Sequence, residues 1–210
     1  MEDREMKKIN QVWIYQVGFL LLLTAMISCA TISHLNVEYR LPPPSDELKG
    51  KKVSFVFEDS RKVKDIFGKG AQEDFKNFSG NISYSLARGK EKGFKIGLYT
   101  IPALFREVFK LRLENLGMEV VSKREKNETA IVIVLKKLIL DLIDRKWVVT
   151  MEYEAQLVKD QKILARQVIT GQAERLKLIG RGQADVVMGE IFTDMVNRLN
   201  VGRLFQQASQ

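Results

Sequence analysis

The chain has a single cysteine, Cys29, and a single histidine, His34, in 210 residues. One thiol closes no internal disulfide, and the one imidazole falls in a segment that reads as a tether, which argues against a histidine metal site and against a Ser-His-Asp or Cys-His catalytic site. Only four prolines are present, and three of them are consecutive at Pro42-Pro43-Pro44. Long hydrophobic runs are also scarce. The most apolar N-terminal stretch, Val17 to Ile27, crosses only about half of a roughly 30 Å hydrocarbon layer at 1.5 Å per residue.

What stands in that stretch is more telling than its length. A charged start, an apolar run interrupted by Gly18 and Thr24, and then small Ser28 before Cys29 make the pattern of a cleaved export signal. Met26-Ile27-Ser28-Cys29 resembles the lipobox of bacterial lipoproteins. That resemblance implies cleavage between Ser28 and Cys29, a diacylglycerol thioether on the Cys29 sulfur and an acyl chain on the new amino group. No other cofactor is expected. Ala30, rather than aspartate, after the cysteine implies sorting to the outer membrane, facing the periplasm. Glu2, Asp3 and Glu5 cancel Arg4, Lys7 and Lys8, whereas export signals begin basic; this pattern points to Met6 as the start of translation.

Residues 1–28 carry equal numbers of basic and acidic side chains, so the net charge of +8 is unchanged by their removal. A basic exported protein is drawn to anionic surfaces, which makes phospholipid, lipopolysaccharide, peptidoglycan and other envelope proteins the expected partners and nucleic acid an unexpected one. The membrane itself is the first partner, through the lipid anchor.

After the cysteine, residues 29–50 read as a tether stiffened by its prolines, with His34 inside it. A single domain is expected over 51–205, followed by a polar tail at 206–210. Its first strand is Val53 to Phe57, closed by Glu58-Asp59-Ser60-Arg61. From 61 to 95 the chain is rich in Gly, Lys, Asn and Ser and reads as a long basic loop. Lys62, Lys64, Lys69, Lys76, Arg88, Lys90 and Lys92 make it a candidate anion-binding surface. Gly68-Lys69-Gly70 lacks the spacing of a phosphate loop.

A short strand at Lys95 to Tyr99 precedes a helix that Thr100 caps, Pro102 opens and Gly117 ends. Ile101, Leu104, Phe105, Val108 and Leu111 set its buried face. A short strand follows at Met118 to Val121, then a turn at 122–128. Thr129 to Ile143 reads as a central strand buried on both faces, with a bulge at Lys136-Lys137 where the apolar parity switches. The alternation from Trp147 to Val158 and the return from Ile163 to Leu176, joined by turns at Asp144-Arg145 and Lys159-Asp160-Gln161-Lys162, complete an antiparallel meander. A helix over 183–199 carries Ala184, Val187, Met188, Ile191 and Met195 on its apolar face, and Met188 and Met195 read as core. The expected class is α+β, with a mainly antiparallel sheet and two amphipathic helices on one face.

Tyr39-Arg40-Leu41-Pro42-Pro43, Val53 to Phe57 with Asp59 and Arg61, and Leu113 to Val121 around Leu116-Gly117 together resemble the YajG family of bacterial lipoproteins over most of 39–205. The resemblance implies location and fold and carries no established activity. No catalytic constellation is visible. Two carboxylate pairs remain, Asp141 with Asp144 and Glu152 with Glu154, and the second reads as the solvent side of the meander. Two roles follow: an envelope protein that acts by binding, as an accessory subunit or as a holder of an anionic component, or a carrier or enzyme with an apolar ligand between sheet and helices.

Overall fold

The structure, a computed structural model, describes residues 33–121 and 129–210. Among them the order is β1 (Ser33–Leu41), β2 (Lys52–Asp59), β3 (Phe78–Arg88), β4 (Phe94–Thr100), α1 (Ile101–Glu114), β5 (Glu119–Val121), β6 (Ala130–Ile143), β7 (Lys146–Lys159), β8 (Lys162–Leu176), α2 (Gly182–Asn197) and α3 (Val201–Ala208). The class is α+β, as expected. The strands form two sheets, β1-β3-β4 and β5-β2-β6-β7-β8. In the larger one, β6, β7 and β8 are the antiparallel meander, while β5, β2 and β6 run parallel.

The meander follows from local chemistry. Asp144 and Arg145 have φ of 47° and 62°, and Asp160 and Gln161 have φ of 51° and 63°. Two consecutive left-handed residues match the twist of the flanking strands. The parity switch in β6 is a bulge: Leu135 pairs with Tyr153 and Lys137 with Glu152, leaving Lys136 extra. It turns Ile131, Ile133 and Leu135, then Leu138 and Leu140, onto one core face. Residues Ala130 to Leu135 are all buried, as a strand covered on both faces requires. Helices α1 and α2 pack on the core side, where Phe105, Phe109, Phe192 and Tyr153 interlock at ring separations of 5.1–6.1 Å. Met188 and Met195 belong to this core.

Three expectations are corrected. Residues 33–41 are not tether. Leu35, Val37, Tyr39 and Leu41 alternate with Asn36, Glu38 and Arg40, and all four are buried in β1, which pairs in parallel with β3. His34 therefore lies on a strand, and the proline segment beyond it is held by Asn115 Nδ2, which donates to the Pro42 and Pro43 carbonyls at 3.2 Å each. The stretch 61–95 is not one loop: Phe78–Arg88 is β3, the middle strand of its sheet, because Ile82, Tyr84 and Leu86 alternate toward the core. The tail at 206–210 is mostly the end of α3, which runs to Ala208 and buries Val201 and Leu204.

The outer edge of β1 is closed by α2. Asn36 N donates to Asp185 Oδ1 at 3.0 Å, Arg40 N to Thr193 Oγ1 at 3.0 Å, and Asn197 Nδ2 to the Arg40 carbonyl at 3.1 Å. Thr193 Oγ1 also donates to the Glu38 carbonyl at 3.3 Å. Four helical residues rise about 6 Å and two strand residues about 6.6 Å, so the stripe Asp185, Gly189, Thr193, Asn197 keeps step with Asn36, Glu38 and Arg40. Gly189 permits the approach: a Cβ there would lie 3.1 Å from the Glu38 carbonyl oxygen.

Candidate functional site

The site forms where β2 ends beside the bulge of β6. Ser60 N and Oγ both donate to the Leu135 carbonyl, at 3.0 and 3.1 Å, which carries the chain past the last ladder pair, Asp59 with Leu135. Asp59 then turns the backbone by accepting from Arg61 N at 3.2 Å. This Asx turn folds the Arg61 side chain back onto its neighbour two residues away. Arg61 Nε donates to Asp59 Oδ1 at 3.0 Å and Nη2 to Oδ2 at 2.9 Å. The pair is buried, with side-chain exposures of 4% for Arg61 and 16% for Asp59.

Burial by itself would raise the Asp59 carboxyl. The hydrogen bonds and charge of Arg61, with a further bond from Lys64, outweigh it and hold the group at about 2. Lys64 Nζ reaches Asp59 Oδ1 at 3.2 Å and donates to the Asp59 carbonyl at 2.8 Å. The third nitrogen of the fork, Arg61 Nη1, is buried and has no acceptor among the described residues. A buried donor left in that state costs about 1–3 kcal/mol.

A cavity of about 470 Å³ lies here, lined by Ser60, Arg61, Lys62, Val63, Lys136, Lys137, Leu138, Ile139 and Glu152. Four of these side chains are cationic and one is anionic. The bulge places two consecutive lysines at its rim, both exposed.

The seven basic positions expected to act as one surface are therefore divided. Lys62 lines the cavity and Lys64 stands beside it. Lys69 sits in a strap laid across β6, where Gly68 N donates to the Leu140 carbonyl at 2.9 Å and Gly70 N to Asp141 Oδ1 at 2.8 Å. The glycines are there for close approach, since a Cβ on Gly70 would come within 2.0 Å of the Leu142 carbonyl oxygen. Lys76 pairs with Glu73 at 3.0 Å in the turn before β3. Arg88, Lys90 and Lys92 are at the β3–β4 hairpin tip, on the other sheet. Ser28 and Cys29 lie outside the described residues, as does the turn at 122–128.

Arg61, Lys136 and Lys137 are site residues that the charge count alone does not single out. The signals were the polar stop after β2 and the parity switch in β6, which meet only in the folded sheet. Asp141 serves the glycine strap, and Asp144 occupies a hairpin turn. Glu152 faces Lys137 across the ladder, and Glu154 accepts from Gln156 Nε2 at 2.8 Å. A groove of about 600 Å³ runs along the β1–α2 seam, lined by Val37, Val186 and Gly189 together with polar and charged residues that include Asn36, Glu38, Arg40, Asp185 and Asp194. Between the larger sheet and its helices, Phe105, Phe109, Tyr153 and Phe192 pack ring against ring.

No family model matches the chain, and no curated protein matches it. Among solved structures it is similar to protein XCC0632 from Xanthomonas campestris, of family DUF330, at 16% identity over 85% of this chain and 99% of that one, with a TM-score of 0.55. It is also similar to protein CT253 from Chlamydia trachomatis at 7% identity, over 76% and 98% of the two chains, with a TM-score of 0.42. Lipoprotein GNA1162 from Neisseria meningitidis matches at 10% identity, over 70% and 99%, with a TM-score of 0.28. At these identities the likeness to XCC0632 is one of fold. No described helix is long and apolar enough to cross a membrane.

Proposed function

We propose that the protein is a lipid-anchored, YajG-like envelope lipoprotein, facing the periplasm from the outer membrane and acting by binding. The observation that carries this reading is the sequence Met26-Ile27-Ser28-Cys29 followed so closely by a folded body. Because β1 begins at Ser33, only three residues, 30–32, lie between it and Cys29, and the four residue steps reach at most about 14 Å. An acylated Cys29 would hold the start of β1 next to the headgroup layer rather than on a long spacer.

Each buried CH₂ contributes about 0.8 kcal/mol, so two or three acyl chains anchor the chain far more firmly than its surface charge. The body then offers a basic cavity toward anionic envelope components or toward an accessory role in a transport or assembly system. Growth with an alkyne-labelled palmitate tests the anchor. Label is expected on the wild type and absent from Cys29→Ala, with the protein in outer-membrane fractions. Equal labelling of both forms removes the anchor, and recovery in inner-membrane fractions removes the sorting.

A further inference from the structure

We propose that the Arg61 cavity binds a phosphate group, presented either by a phospholipid headgroup or as free phosphate. This deepens the binding role above by naming its ligand class, and only the lipid source depends on the envelope reading.

The first support is the geometry of the fork. Asp59 engages the Nε–Nη2 edge of Arg61 at 3.0 and 2.9 Å, which fixes the guanidinium plane and leaves Nη1 buried and without a hydrogen-bond partner among the described residues. A planar fork held this way loses little side-chain freedom when its remaining N–H groups meet an oxyanion.

The second support is charge. Asp59 balances Arg61, and Lys64 shares that carboxylate, so Lys62, Lys136 and Lys137 line the cavity against Glu152 alone. A carboxylate ligand offers two oxygens and one charge, whereas a phosphate presents more acceptor oxygens and more charge, a better match to Nη1 and several ammonium groups together. The third support is the bulge, whose extra residue sets Lys136 and Lys137 side by side at the rim. Val63, 62% exposed, adds an apolar flank beside the cations.

The test uses the full acylated chain in non-ionic detergent micelles, titrated calorimetrically with inorganic phosphate and, separately, with short-chain phosphatidylglycerol against diacylglycerol of the same chain length. Saturable binding is expected for at least one phosphate source and none for diacylglycerol. Arg61→Lys keeps the charge and removes the fork, and Lys136→Gln with Lys137→Gln removes two exposed cations. Each is expected to weaken binding about tenfold, which corresponds to about 1.4 kcal/mol. Should Arg61→Lys fail to fold, the double glutamine variant decides, because both of the side chains it replaces are exposed and the fold is expected to tolerate their loss.

Saturation by phosphatidylglycerol alone assigns the lipid source, and saturation by inorganic phosphate assigns the free group. Absence of saturation by either, or wild-type affinity in the deciding variant, overturns the site. Phosphate binding by a chain that is not acylated would sink the anchor reading and keep the site. Acylation without phosphate binding would do the reverse.

Discussion

Two arginines pair with a carboxylate two residues before them, and their surroundings make them different devices. Arg40 Nη2 donates to Glu38 Oε1 at 2.7 Å with both side chains well exposed, and its Nη1 donates to the Gly89 carbonyl at 2.6 Å and the Glu91 carbonyl at 3.3 Å. Glu38 Oε2 accepts from Gly93 N at 3.2 Å, so the pair staples the β3–β4 hairpin to β1. Arg61 makes the same kind of pair in a buried setting and has an Nη1 that no group among the described residues engages. An ion pair becomes a site through the donors it leaves over, not through the pair itself.

The comparison breaks most sharply on removal of the acid. Asp59→Ala leaves Arg61 buried without a counter-charge and is expected to cost about 3 kcal/mol by urea denaturation, against under about 1 kcal/mol for the exposed Glu38→Ala. Acid should separate the pairs next. The folded Asp59 carboxyl lies below its ordinary value, so its stabilisation is complete above about pH 4 and is lost as pH falls toward 2. With screening at the open rim this is worth about 1 to 2 kcal/mol, and Asp59→Asn should flatten that limb of a pH–stability curve.

Arg40→Ala should cost about 1 kcal/mol and speed hydrogen exchange at residues 89–93, while the equivalent measurement around Lys136 stays as in the wild type. The smallest effect sharpens the contrast: Lys136→Gln with Lys137→Gln should change stability by no more than about 0.5 kcal/mol, since both side chains are exposed.

The meander, its turns, the bulge and both long helices were legible because each has a local cause: strict alternation, turn residues that tolerate positive φ, or an apolar stripe. β1 and β3 carry alternation too, in Leu35-Asn36-Val37-Glu38-Tyr39-Arg40-Leu41 and Ile82-Ser83-Tyr84-Ser85-Leu86. Their neighbours obscured it, since β1 lies between a signal-like segment and three prolines, and β3 is diluted by serines amid glycines and lysines. The candidate site was half legible. Lys62 and Lys64 stood out by charge, but Arg61 gains its meaning from burial against Asp59. Its partners Lys136 and Lys137 come from a strand more than seventy residues on, joined by a parallel pairing that alternation within either strand does not encode.

The seam between β1 and α2 bears on how this chain meets copies of itself. An edge strand with free amides and carbonyls is a template on which another chain can add and the sheet can extend without limit. Here the outward groups at Asn36, Glu38 and Arg40 already engage helix side chains. Strand addition to the smaller sheet is therefore confined to the β4 side, and a filament that needs both edges of that sheet cannot grow while α2 is in place.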